Sequence, residues 1–216
     1  MQTLTGDHAG LMDDVYRGQR HIYDLTRKYY LLGRDRLIAE MDVPDGGTVL
    51  EVGCGTGRNL SRIASRWPAA RLYGLDISEE MLKSASANLR AARCLHKIGL
   101  ARADAAQFDA LQLYGRARFD RIMFSYTLSM IPDWQGALRQ AAALLSTQGS
   151  IHIVDFGMQE RLPGWFRKML ITWLHKFHVE PRRDLQKFAT ELAKELKRPI
   201  KITKPYRGYA QMIVIG

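Results

Sequence analysis

The sequence contains two cysteines, Cys54 and Cys94, and neither has a CxxC partner or a histidine cluster beside it. That scarcity argues against a disulfide scaffold, a zinc site or dithiol redox chemistry, and no metal is expected. Long hydrophobic runs are also missing: the best, such as 169–174, fall far short of the roughly 18 apolar residues that a spanning helix needs. The first residues carry Asp7, Asp13 and Asp14 where a secretory signal would place a basic start and an apolar core, so a cytoplasmic location is expected. There is no repeat, no low-complexity tract and no Pro/Gly-rich linker. What remains is 216 residues, 46% hydrophobic and 25% charged, a composition that suits one folded α/β domain.

Acidic residues are the scarcer charge, 22 Asp+Glu against 32 Lys+Arg, and the imbalance is local. Residues 160–216 hold 13 basic and 5 acidic side chains and so supply +8 of the net +10. A basic C-terminal quarter calls for an anionic partner, either a phosphate backbone or an anionic membrane surface.

Apolar, β-branched runs alternate with helical patterns, which is the signature of βαβ units on a parallel sheet. Strands are expected at 48–52, 71–75, 98–103, 119–125 and 150–155, with closing strands at 200–203 and 209–215. Helices are expected at 57–66, after a Ser78 cap, and at 134–145, and one long helical stretch at about 160–197. The chain divides into a helical cap (1–46), a core (47–159), a basic and aromatic helical insertion (160–197) and the closing strands (198–216).

The most informative run is Val49-Leu50-Glu51-Val52-Gly53-Cys54-Gly55-Thr56-Gly57. A buried strand ends in an acid, and three glycines at alternate positions then open a helix, which lets the backbone turn tightly and approach a ligand more closely than any Cβ allows. Dinucleotide folds space their glycines G-x-G-x-x-G and aim a helix N-terminus at a pyrophosphate. Here the spacing is G-x-G-x-G behind Glu51, a poor neighbour for phosphate and a good one for a cationic amino-acid moiety. Asp76 ends the second strand, where a carboxylate can take both hydroxyls of a ribose, and Asp104 follows the third, where one can accept from an adenine amino group.

From about Thr48 to the C-terminus these residues resemble the seven-stranded, class I S-adenosylmethionine-dependent methyltransferases. The resemblance implies a doubly wound, Rossmann-like α/β sheet of seven strands with the last antiparallel, and S-adenosylmethionine as cofactor. It implies that Glu51, Gly53, Cys54, Gly55, Gly57 and Asn59 surround the methionyl part, that Asp76 holds the ribose, and that Ile77, Met81, Asp104 and Ala105 meet the adenine. Ser125 and Tyr126, after the fourth strand, fall at the carboxyl edge where reacting groups gather, as do Asp155 and Phe156 after the fifth. The N/D-P-P-Y/F run of DNA amino-methyltransferases is absent from that position.

Read as one helix, Tyr23, Arg27, Tyr30 and Arg34 form a stripe of alternating ring and cation. The stretch from Arg20 to Asp35, together with Glu51–Asn59 and Tyr206-Arg207-Gly208-Tyr209, looks like the diacylglyceryl-homoserine N-methyltransferases of bacterial betaine-lipid synthesis. That resemblance implies three successive methyl transfers to a headgroup amine, a lipid acceptor, and a functional pairing with the enzyme that makes diacylglyceryl-homoserine. It also places Tyr23, Arg27 and Arg34 beside the cofactor, and makes Tyr23, Tyr126 and Arg207 the candidate catalytic residues. The tyrosines would offer ring faces or hydroxyls to the sulfonium and to the methylated nitrogen, and Arg207 or Arg34 would hold the headgroup carboxylate. His21 and His152 are candidate bases.

In the insertion, Trp165, Phe166, Met169, Leu170, Trp173, Leu174 and Phe177 follow helical spacing, with Arg167, Lys168, His175 and Lys176 off that face. Such a helix either packs on the sheet or lies in the headgroup layer of an anionic membrane, and the second reading makes residues 160–187 a peripheral contact on the inner face. Alternatives stay open: a phosphatidylethanolamine N-methyltransferase, an RNA or protein methyltransferase whose charge serves phosphate contacts, or a donor-binding regulator without turnover. The apolar character of the insertion argues against nucleic acid as the partner.

Overall fold

A computed structural model describes residues 31–176 and 179–216. Seven strands form one sheet in the order β3-β2-β1-β4-β5-β7-β6. They are β1 (Thr48–Val52), β2 (Arg71–Asp76), β3 (Ile98–Arg102), β4 (Phe119–Ser125), β5 (Leu145–Phe156), β6 (Ile200–Thr203) and β7 (Ala210–Ile215). β1 to β5 pair in parallel, whereas β7 runs antiparallel between β5 and β6. This is the doubly wound sheet with an antiparallel last strand that the sequence implies.

The helices are α1 (Arg34–Ala39), α2 (Arg58–Arg66), α3 (Glu79–Ala91), α4 (Ala110–Tyr114), α5 (Trp134–Ala143), α6 (Gly164–Lys176) and α7 (Leu185–Glu195). Each face of the sheet has its own core, because side chains alternate along every strand. Val49 and Leu72 share one core with Leu37 of α1, Leu60 and Ile63 of α2, Leu89 of α3, and Leu170 and Leu174 of α6. Leu50 and Phe124 face the other, with Ala110 of α4, Leu138 of α5, and Leu185 and Leu192 of α7. All five residues of β1 are buried, as a central parallel strand covered on both faces requires. Ser78 caps α3 as expected, its hydroxyl accepting from the Met81 N–H at 3.3 Å.

Three expectations are corrected. The stretch 160–197 is two helices, α6 and α7, and the chain between them contains Pro181, which cannot donate the backbone hydrogen bond that a continuous helix needs. β5 begins at Leu145 instead of 150, because its early part pairs through a register shift between Phe119 and Arg121. Arg34 opens a helix of its own instead of ending a longer one: residues 31–33 form a turn, and Gly33, with φ 89°, starts α1 at Arg34. Tyr23, Arg27, Tyr30 and His21 lie outside the described residues.

The turn before α1 is fixed to the carboxyl edge of the sheet. A Cβ at Gly33 would lie 3.3 Å from Val154 of β5 and 3.6 Å from the Tyr206 ring. Tyr126, in the left-handed region at φ 57°, is buried and donates its hydroxyl to the Leu32 carbonyl at 2.6 Å. Its ring packs edge-on against Phe156, centroids 4.6 Å apart. Tyr126→Phe should therefore lower unfolding stability by about 1–2 kcal/mol, with a shifted urea midpoint and an unchanged denaturant slope.

Candidate active site

The loop after β1 takes its shape from backbone positions that side chains would obstruct. Gly53, Gly55 and Gly57 all have positive φ, 72°, 51° and 76°. At Gly53 a Cβ would collide with the Thr127 side chain, and at Gly57 it would come within 3.2 Å of Ala85 and Leu89 of α3. The loop is pinned to β2 from two directions: the N–H groups of Gly53 and Cys54 donate to the Leu75 carbonyl, and the Gly55 N–H donates to Asp76 Oδ2 at 2.8 Å. Asp76 Oδ1 accepts from Ser78 N–H, which aims the carboxylate across the loop.

Glu51 sits 1% exposed beneath this loop. Its Oε1 accepts from Asn59 Nδ2 of α2 at 2.7 Å. Its Oε2 is buried without a hydrogen-bond partner among the described residues. Burial pushes its pKa up to about 8, opposed by the Asn59 hydrogen bond and by the positive charges of Arg34 and Arg58, and assisted by the negative charge of Asp76. Arg34 is itself 8% exposed and donates Nε to the Leu31 carbonyl. Arg58 reaches from α2 to both oxygens of Asp35 at 3.0 and 3.1 Å, so α1 and the glycine loop are held as one unit. Cys54 is buried with its thiol pKa raised by desolvation, which leaves it a neutral packing group in the loop.

The adenine-side candidates gather at the next two strand ends. Ala103 N–H donates to the Asp76 carbonyl, and Asp104 then turns the chain by accepting from Ala106 N–H at 2.9 Å. Ile77 follows Asp76 directly, its carbonyl accepting from Arg102 Nε. Ala105 and Ile77 are half-buried, whereas Met81 is 2% exposed in the first turn of α3.

Other candidates have different positions. Tyr126 has its hydroxyl committed to Leu32, and burial raises its pKa well above the ordinary value, so the tyrosine is a buried strut behind the edge. Arg207 is exposed in the Pro205–Gly208 turn. Tyr206 and Arg207 both adopt left-handed φ, 55° and 56°, a strained arrangement for two consecutive side chains. Ser125 ends β4 with its hydroxyl buried and lacking a hydrogen-bond partner among the described residues.

Sequence reasoning placed Asp155 at the carboxyl edge but gave Thr127 and Arg182 no part in shaping the loop after β4. Thr127 fills the space opposite Gly53, and Arg182 braces the Leu128 and Ile131 carbonyls. Asp155, 2% exposed, accepts from the N–H groups of Ser129 and Phe156, and burial raises its pKa to about 6. None of these carries a sequence motif; their roles depend on how β4 and β5 end side by side.

The arrangement fits an S-adenosyl donor: an unpaired buried carboxyl oxygen beneath a loop without side chains at three positions, with a second carboxylate, Asp76, hydrogen-bonded to that same loop. Residues 49–149 match the family model described as a methyltransferase domain. The demethylmenaquinone methyltransferase of Listeria welshimeri is 29% identical over 142 residues, which is 65% of this chain and 58% of that protein. The trans-aconitate 2-methyltransferase of Azoarcus sp. is 45% identical over 49 residues, 23% of this chain and 19% of that protein. The chain thus spans well under two thirds of these relatives. Among solved structures, an S-adenosylmethionine-dependent methyltransferase from Aquifex aeolicus superposes with TM-score 0.64 at 15% identity, over 88% of this chain and 92% of that one. An O-methyltransferase family protein from Burkholderia thailandensis gives 0.67 at 15%, over 99% and 69%. At such identities the structural likeness speaks for the fold alone.

Donor binding should expel a proton at about pH 7, because a cationic ammonium placed beside Glu51 favours its ionised form while the free protein holds the group protonated up to about 8. Donor affinity should accordingly rise as pH rises towards that value. Titration calorimetry in buffers of different ionisation enthalpy should detect the released proton, and Glu51→Gln should bind without releasing it. Asp76→Ala should weaken donor binding at least about tenfold by leaving ribose hydroxyls and the Gly55 N–H unpaired.

Proposed function

We propose that this chain, a class I S-adenosylmethionine-dependent methyltransferase in fold and cofactor, methylates the amine of a lipid headgroup, with diacylglyceryl-homoserine as acceptor and its trimethylated betaine as product. The observation that carries the acceptor reading is a convergence in space. Two stretches on which the betaine-lipid resemblance rests, the one ending in Gly33-Arg34-Asp35 and Tyr206-Arg207-Gly208-Tyr209, are far apart in sequence, yet a Cβ at Gly33 would touch the Tyr206 ring. Both flank the carboxyl end of β5, at the edge of the sheet where an acceptor has to approach.

Bound S-adenosylmethionine supplies an electrophilic methyl group on a sulfonium. Glu51 and the loop from Gly53 to Gly57 would hold its amino-acid end, Asp76 its ribose, and Asp104 and Ile77 its adenine. The remaining work of the chain is to hold a neutral amine in line and keep water away, and orientation alone supplies a large acceleration for such a displacement. Arg207 is exposed and free of salt bridges among the described residues, and so can pair with a headgroup carboxylate. His152 is not the base: it is buried in β5 with Nε2 on the Ser150 hydroxyl at 2.8 Å, and desolvation lowers its pKa to about 4. Asp155 already accepts two backbone N–H groups. The amine therefore loses its proton to solvent before each transfer, which calls for no dedicated strong base.

A second reading, a lipid quinone or another small acceptor, draws on the 142-residue match to demethylmenaquinone methyltransferases. Purified protein incubated with S-adenosylmethionine and, in parallel, diacylglyceryl-homoserine, phosphatidylethanolamine and demethylmenaquinone separates the cases by product mass. Mono-, di- and trimethylated homoserine lipid is the expected result; methylation of either other lipid alone overturns the acceptor assignment. Arg207→Ala should raise KM for the homoserine lipid at least about tenfold, the loss of a bidentate charge pair, while donor affinity stays unchanged.

A further inference from the structure

Helix α6 has an inner and an outer stripe, and only one of them belongs to the core. On the inner side Leu170 and Leu174 are buried, with Phe166 and Trp173 partly buried against the same cluster. On the outer side Trp165 is 72% and Met169 55% exposed, one turn apart, with Arg167 and Lys168 exposed between them. The seven apolar positions read from sequence as one face thus divide between two directions, and Phe177 lies outside the described residues.

The outer stripe continues into the acceptor side of the molecule. The segment leading into α6 runs beside the strained turn before β7: Gln159 N–H donates to the Gly208 carbonyl and Arg161 N–H to the Arg207 carbonyl. Tyr206 in that turn is 46% exposed, and its neighbour Arg207 is exposed as well. The nearby acid Glu160 is occupied by Lys204 at 2.9 Å. Arg161, Arg167, Lys168 and Arg207 form no salt bridge among the described residues. Large apolar side chains exposed beside cations that form no salt bridge are costly in water and complementary to an anionic bilayer, whose headgroups take the cations and whose acyl boundary takes the apolar tips.

We propose that the outer stripe of α6 and the Tyr206–Arg207 turn dock this chain on an anionic membrane, with Trp165 and Met169 entering the headgroup–acyl boundary. The docking rests on the lipid-acceptor reading for its purpose, since it would hold the carboxyl edge of the sheet against the surface from which the headgroup comes. Nucleic acid fits the patch less well: its most protruding side chains are an indole and a thioether flanked by cations, and Met169 offers no ring on which a base could stack.

Co-sedimentation with phosphatidylcholine vesicles, with and without about one third phosphatidylglycerol, tests the proposal. The parent chain should bind the anionic vesicles and leave the neutral ones. Trp165→Ala with Met169→Ala should reduce binding at least about tenfold, as should Arg167→Glu with Lys168→Glu, both with donor affinity intact by calorimetry. Leu111→Ala with Leu113→Ala, which removes the exposed leucines of α4, should change nothing. As a readout that needs no loss of binding, indole fluorescence should be quenched by brominated lipid in the parent and far less so in Trp165→Phe. Equal vesicle binding by the Trp165/Met169 double variant, or RNA that displaces the chain from vesicles, overturns the proposal. Methylation of detergent-dispersed lipid without vesicle binding would remove the docking and leave the acceptor; vesicle binding without lipid methylation would do the reverse.

Discussion

A carboxyl group sealed at the end of a central strand is costly to ionise unless something cationic meets it, and Glu51 is sealed in that way. Asn59 satisfies one oxygen and leaves the other bare among the described residues. Much of the surrounding architecture keeps that oxygen in place without providing a permanent partner. Glycines at 53, 55 and 57 let the chain turn over it, the Asp76 carboxylate anchors the turn through Gly55, and the Arg58–Asp35 pair ties α1 to the helix that carries Asn59. The site is therefore built around an unmet electrostatic demand. That demand selects a ligand with a cationic amino-acid end and disfavours a pyrophosphate.

The order of the sheet explains why the donor and acceptor sides share one edge. β1 and β4 are neighbours at its centre, so the glycine loop after the first and the Thr127 loop after the second are in contact. β5 then brings Asp155 and Phe156 beside Tyr126, and the antiparallel β7 returns the chain through the Tyr206–Arg207 turn to the same edge. The left-handed φ values of Tyr126, Tyr206 and Arg207 all fall along this rim, and strain of that kind persists only where the surrounding packing over-determines it. Tyr126 illustrates the point: its hydroxyl bond to Leu32 and its edge contact with Phe156 hold both the backbone twist and the segment entering α1.

Much of this was legible in the sequence, for reasons that can be named. β1 and β4 were readable to the residue because buried parallel strands and their flanking turns leave unambiguous apolar runs, and the edge strand β6 because Pro199 and Pro205 bracket its alternating Ile-Lys-Ile-Thr. The glycine loop and its acids were readable because the ligand's demands act on consecutive residues. The break between α6 and α7 was signalled by Pro181, but the apolar period on either side hid it. The role of Tyr126 and the division of α6 into inner and outer stripes were not readable, since both depend on which way a backbone turns after a strand ends. Helical spacing puts Trp165 and Leu170 about 140° apart around the helix, but only packing shows which of them faces solvent and which the core.

The measurement that bears most directly on the donor site is a crystal structure with S-adenosylhomocysteine bound. The ligand's amino group should engage the bare oxygen of Glu51, with its ribose hydroxyls on Asp76 and its adenine between Ile77 and the Asp104 turn. A ligand bound elsewhere, or bound here with Glu51 Oε2 still unmatched, would contradict the claim that this carboxyl group organises the site.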